Sequence, residues 1–188
     1  RTKEMIALGV SMVNGCEYCI RAHSAVLRNM FEFSDSDLVE LAGVVAHVSA
    51  INRFETATVG DSQDPLFELE SAADVPLLAE IEEELGSLPA HYRIMARDET
   101  YLEYVWSRHR SMFEGGNLDR TEKELVAFGV SIANIAPTST RVHRATLRHQ
   151  GVTDDELFEA LRVIENFQKH NRFTTGLLLH PDVDLGTT

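Results

Sequence analysis

Glu4-Met5-Ile6-Ala7-Leu8-Gly9-Val10-Ser11-Met12-Val13-Asn14 returns 120 residues later as Glu124-Leu125-Val126-Ala127-Phe128-Gly129-Val130-Ser131-Ile132-Ala133-Asn134. The correspondence continues to residue 29, with 11 of 26 aligned pairs identical, against about one or two expected at average composition. With a slip of one residue, Asn171-Arg172-Phe173 falls on Asn52-Arg53-Phe54, and Thr153-Asp154-Asp155-Glu156 falls on Ser34-Asp35-Ser36-Asp37. The chain is an internal duplication.

Each copy reads as three helices. Residues 3 to 13 form a mostly buried helix stopped by Asn14-Gly15, since asparagine and glycine tolerate the left-handed turn that ends helices. A second helix starts at Cys16 and runs to about Asn29. Ser34 with Asp37 is an N-cap signal, and Thr153 with Glu156 repeats it as a full capping box. It opens a long amphipathic helix through Leu38, Leu41, Val44, Val45, Val48 and Ile51 to about Thr56. Residues 58 to 73, rich in Gly, Asp, Ser and Pro, read as a loop. Pro76 to Leu85 reads as a short acidic helix, Gly86 to Pro89 as a break, and 98 to 114 as another helix closed by Gly115-Gly116-Asn117. The expected fold is all-α. Its units are a first repeat over 1–57, a loop and linking helices over 58–119, and a second repeat over 120–188, joined in one compact globular unit. Helical residues precede the second copy, whereas the first opens at once on Arg1, so a comparable helical segment is expected upstream of Arg1.

With 188 residues the chain can bury a sizeable core. Its net charge of −13 argues against a nucleic-acid partner, which needs a clustered basic surface, and disfavours anionic membranes. No apolar run approaches the roughly 18 residues of a membrane-spanning helix. Two cysteines in one C-x-x-C are not a secreted disulfide framework. Such a pair fits a reducing, cytoplasmic setting, where it is usually catalytic or metal-binding.

Those cysteines lie in Cys16-Glu17-Tyr18-Cys19-Ile20-Arg21-Ala22-His23. On a helix, positions 16, 19 and 23 share one face, and His23 sits one turn beyond Cys19. A free thiol near pKa 8.5 is mostly protonated at neutral pH. Three features here favour the thiolate. The helix start supplies free N–H groups and a positive dipole end. His23 can take the Cys19 proton, directly or through a water. Glu4, on the preceding helix, can orient the imidazole and hold its charge. Cys19 is thus the expected nucleophile, and Cys16, nearer the helix start and expected to be more exposed, the resolving thiol. Tyr18 either positions peroxide or packs.

The second copy is an internal control. Cys16 becomes Ala136 and Cys19 becomes Ser139, while Glu124, Arg141 and His143 match Glu4, Arg21 and His23. The helices persist without thiols, and the Glu–His pair is compatible with a structural role. Zinc is the rival for the cysteines, with His47 or Glu4 completing the site, although no second knuckle is present. Inert core cysteines are another. His47, His91, His109, His143, His149, His170 and His180 show no mutual motif spacing and are expected mostly at the surface or at caps.

Glu4, Cys16, Cys19 and His23 match E-x11-C-x-x-C-x-x-x-H, and with the duplicated three-helix unit the chain resembles the carboxymuconolactone decarboxylase and alkylhydroperoxidase D-like superfamily. The resemblance implies an all-α fold and a homo-oligomer, commonly a trimer of two-repeat chains or a hexamer of single-repeat ones. It implies that the cysteines reduce hydroperoxides, or pass electrons from a lipoyl-bearing acyltransferase to a peroxiredoxin, without metal, flavin or haem. Alkylhydroperoxidase D proteins carry a histidine where Tyr18 stands, and their active pair is in the later half of the chain. The decarboxylase branch carries out ring-lactone decarboxylation without relying on a cysteine pair, which draws attention to Glu124 and His143.

The expected activity is that of a cysteine peroxidase or thiol–disulfide oxidoreductase. A hydroperoxide is the substrate, and an external dithiol (a lipoyl protein, a thioredoxin-like protein or a peroxiredoxin) is the redox partner. The alternatives are a decarboxylase-like lyase acting on a small cyclic carboxylic acid, and a metal-stabilised scaffold.

Overall fold

The computed structural model describes residues 1–59 and 75–179. Among the described residues all regular structure is helical: α1 (Thr2–Asn14), α2 (Glu17–Phe31), α3 (Asp35–Thr58), α4 (Pro76–Leu85), α5 (Ala90–Met95), α6 (Glu99–Glu114), α7 (Arg120–Ala133), α8 (Pro137–His149) and α9 (Asp154–Gly176). The all-α fold read from the sequence is the fold that forms. The loop expected over 58–73 lies outside the described residues except at its start, where Thr58 still belongs to α3. Helix α5 was not foreseen; its six residues are too few to show a period.

Helix α1 is buried continuously from Met5 to Ser11, and α7 nearly so from Lys123 to Ser131. Helices apolar on nearly every side belong at the centre of a domain, and these two cross there at paired glycines. A Cβ on Gly9 would lie 2.9 Å from Val126 and 3.5 Å from Val130 and Val45, and one on Gly129 would lie 3.3 Å from Ile6 and Ile164 and 3.5 Å from Val10. Under the duplication Val126 corresponds to Ile6, Val130 to Val10, and Ile164 to Val45. Each glycine therefore meets the other copy's version of the same surface, the signature of an approximate two-fold.

The third helices are exchanged. Helix α1 packs on α9 and α7 packs on α3. Ser11 Oγ donates to Asn171 Oδ1 across 3.2 Å, and Ser131 and Asn52 repeat the contact at 3.4 Å. The main core draws on both copies alike. A second core joins α4, α5 and α6 through Ile81, Tyr92, Leu102 and Trp106.

The ends of the central helices place the site. Gly15 takes φ 65°, and the next residue's N–H returns to Ser11 O at 3.1 Å. In the second copy Ile135 occupies the same turn at φ 57°, with Ala136 N–H on Ser131 O at 2.9 Å. A β-branched residue is costly there, so the turn forms in the second copy against the local preference of Ile135. Both expected capping boxes form, at Ser34 with Asp37 and at Thr153 with Glu156.

Candidate active site

Cys16 is the N-cap of α2, and Cys19 lies in its first turn. The two are joined in a disulfide with Cα atoms 5.3 Å apart, a normal span for such a bridge. The Cys19 N–H points at Cys16 Sγ across 3.4 Å, so sulfur occupies the place where a cap side chain usually accepts. Glu4 Oε2 lies 2.8 Å from His23 Nδ1. A carboxylate acceptor places the proton on Nδ1, which leaves Nε2 as the nitrogen available to a thiol proton. The His23 ring stands edge-on to Phe167 of the other copy, with centroids 4.6 Å apart. Tyr18 is at the surface, 36 % exposed.

One expectation is corrected. Cys16 is not the more exposed thiol; it is 2 % accessible against 6 % for Cys19. Its position as the cap turns it inward under the α1–α2 turn, whereas sequence position alone suggested an open helix end.

The second copy keeps the dyad and loses the sulfur. Glu124 Oε2 lies 2.8 Å from His143 Nδ1, the same spacing as in the first copy. At the head of α8 a carboxylate from the opposite repeat takes the place of thiols. Glu55 of α3 is buried and accepts from Thr138 N–H at 2.8 Å, Ser139 N–H at 2.9 Å and the Ser139 hydroxyl. The equivalent of Glu55 in the other copy is Thr174, which leaves the N-terminus of α2 to the cysteines. The fold thus holds an anion on one of these helix starts, and α2 offers a thiolate the same environment. Nothing in the sequence singled out Glu55, because its partners lie 83 and 84 residues away.

The histidines depart furthest from expectation. His149 and His170 are exposed, and His180 lies outside the described residues. His47, His91, His109 and His143, expected at the surface or at caps, are instead buried around one cavity of ≈ 20 Å³ with Ser139 and Tyr92. His47 Nε2 lies 3.3 Å from His109 Nδ1. The His109 ring is stacked between Trp106 and Phe113, at 4.9 and 4.6 Å. Neither ring nitrogen of His91 has a protein partner, and neither does His109 Nε2. Burial pushes His47 down to about 4 and His91 to about 3, helped by the neighbouring imidazoles and, for His47, by Arg108. It also holds His109 well below the usual value. These residues come from α3, α5, α6 and α8, so no sequence spacing links them. Among the described residues no three His, Cys, Asp or Glu side chains are arranged to hold a metal ion.

A duplicated helical protein with a cysteine pair capping a helix, backed by a Glu–His dyad, defines the class. The carboxymuconolactone decarboxylase family matches residues 1–58 and 99–178, and the chain belongs to that family. Its members are generally enzymes. No curated protein and no solved structure matches the chain. Among the described residues no helix is long and apolar enough to cross a membrane.

Proposed function

We propose that this chain is a cysteine-based peroxidase or thiol–disulfide oxidoreductase cycling through Cys16 and Cys19. The single observation that carries it is the Cys16–Cys19 bond at the start of α2, beside a histidine fixed by Glu4. His23 Nε2 takes the Cys19 proton, and the head of α2 stabilises the thiolate. The Cys19 thiolate attacks one oxygen of a hydroperoxide; the O–O bond breaks, sulfur is oxidised to sulfenic acid, and the alkoxide leaves as alcohol with a proton from His23. Cys16 then attacks the Cys19 sulfur, forming the disulfide and releasing water. An external dithiol returns both thiols by exchange and is itself oxidised to a disulfide. Tyr18, exposed between the cysteines, is placed to meet substrate or reductant. A cytoplasmic setting and a homo-oligomeric state complete the proposal.

The lyase reading finds its support in the Glu124–His143 dyad beside the histidine cavity. At ≈ 20 Å³ that cavity accepts a guest about the size of water and excludes a ring acid, so the redox reading is preferred.

The test is stoichiometric oxidation of fully reduced protein by cumene hydroperoxide, following free thiols and intact mass. Loss of both thiols, with a mass lower by two hydrogens and recovery by a dithiol, supports the proposal; inert thiols refute it. Cys19→Ser is expected to abolish turnover and Cys16→Ser to stall at sulfenate, and equal residual activity in both would refute the assigned roles.

A further inference from the structure

The repeated Asn-Arg-Phe sequence is only half explained by the fold. Its asparagines, Asn52 and Asn171, bind Ser131 and Ser11 of the central helices. Its arginines, Arg53 and Arg172, make no such contact. Both line one open groove of ≈ 560 Å³, where α1 and α7 end against α3 and α9. Asn14 and Asn134, again a pair under the duplication, line it too. The groove therefore lies across the approximate two-fold and presents one guanidinium from each copy.

Its arginines mark it as a site for a guest. Among the described residues neither Arg53 nor Arg172 makes a hydrogen bond or ion pair, although 30 acidic residues face 17 basic ones in the sequence. Elsewhere in the chain Arg1, Arg28, Arg110, Arg120 and Arg148 each hold a carboxylate. The same arginine thus stands in both copies and lines one groove without a protein partner. Asn171, 1 % exposed, also lines the groove. Its side chain is held by Ser11, as that of its twin Asn52 is held by Ser131. Asn14 and Asn134 send their own amide groups away, to Gln168 at 2.8 Å and Ser49 at 3.3 Å, so recognition of charge falls to the arginines.

We propose that this groove is a binding site for a small organic dianion, held by Arg53 and Arg172. A guanidinium presents a planar fork of donors that matches the paired oxygens of a carboxylate or a phosphate. Two forks on one groove select a ligand with two negative charges, either a dicarboxylate or a phosphate. The proposal does not rest on the cysteine chemistry. A rival role exists for the arginines, since cations near the ends of α1 and α7 complement the negative dipole ends. That role predicts a loss of stability on substitution and no binding.

Calorimetric titration of the full-length oxidised chain with succinate and, separately, with inorganic phosphate decides between them. Binding of either probe, weakened about tenfold or more by Arg53→Gln and by Arg172→Gln and lost in the double variant, supports the proposal. Succinate binding alone identifies a dicarboxylate, and phosphate binding alone a phosphate. Arg162→Gln, an exposed arginine of α9 outside the groove, is expected to leave binding unchanged. Failure of both probes to bind at about 10 mM, or equal binding by the double variant, overturns the proposal. A lowered melting temperature in the double variant without binding by the parent assigns the arginines to the helix dipoles instead.

Discussion

Acid should unfold this protein earlier than its carboxylates require, because three of its buried histidines must stay neutral. Against an ordinary value of 6.5, His47 is held at about 4 and His91 at about 3. The unfolded chain therefore binds protons that the folded chain refuses between pH 6.5 and these values. For histidines shifted in this direction, the stability is present above 6.5 and is lost as pH falls toward the folded values. At about 1.36 kcal/mol per unit, the full differences are roughly 3 and 5 kcal/mol. At pH 4.5 about 2.5 kcal/mol from each has been lost, about 5 kcal/mol together. His109 acts in the same direction. A typical domain has about 5–15 kcal/mol in all. The depressed carboxylates Glu40 and Glu156 act in the same sense but at lower pH, as they protonate below their ordinary 4.5. Urea denaturation at half-unit steps from pH 7.5 to 4.5 is expected to show stability falling through the histidine window. His91→Leu, which leaves no protein group newly unpaired because neither ring nitrogen had a partner, should reduce that slope by about one proton's worth, about 1.36 kcal/mol per pH unit. A parent protein equally stable at pH 6.5 and 4.5, or an unchanged slope in His91→Leu, would refute the reasoning.

The duplication supplies matched controls for three further predictions. Lys3 pairs with Glu159 at 2.6 Å in solvent, whereas its counterpart Lys123 pairs with Glu40 at 2.5 Å and is 1 % exposed. Lys3→Met is expected to cost less than about 0.5 kcal/mol and Lys123→Met about 3 kcal/mol, read as midpoint shifts in chemical denaturation. Gly9→Ala places a Cβ 2.9 Å from Val126, against 3.3 Å for Gly129→Ala at Ile6 and Ile164; it should destabilise by about 1–2 kcal/mol, and the reverse order of melting temperatures would contradict the crossing geometry. Glu4→Gln should slow peroxide oxidation of the reduced thiols and move its pH dependence, while Glu124→Gln leaves that rate unchanged. Equal slowing by both would assign the dyads a structural role alone.

The helices, their order and their duplication were legible in the sequence because they depend on local rules. Apolar positions recur along Met5–Val13 and Leu38–Ile51, capping boxes open α3 and α9, and Asn14-Gly15 ends α1. The cysteine pair with His23 was legible for the same reason, since its members lie within one helical turn or two. Glu4 was reachable because the turn between α1 and α2 is short. What only the tertiary structure decided is everything that crosses between the copies. Exchange of α3 and α9 carries Glu55 to the head of α8 and sets Arg53 and Arg172 in one groove. Docking of α5 and α6 on α3 and α8 gathers His47, His91, His109 and His143, residues up to 96 positions apart in the chain. Sequence periodicity records which face of a helix is buried; which other helix buries it depends on how whole surfaces fit, and here two glycines at the α1–α7 crossing allow that fit.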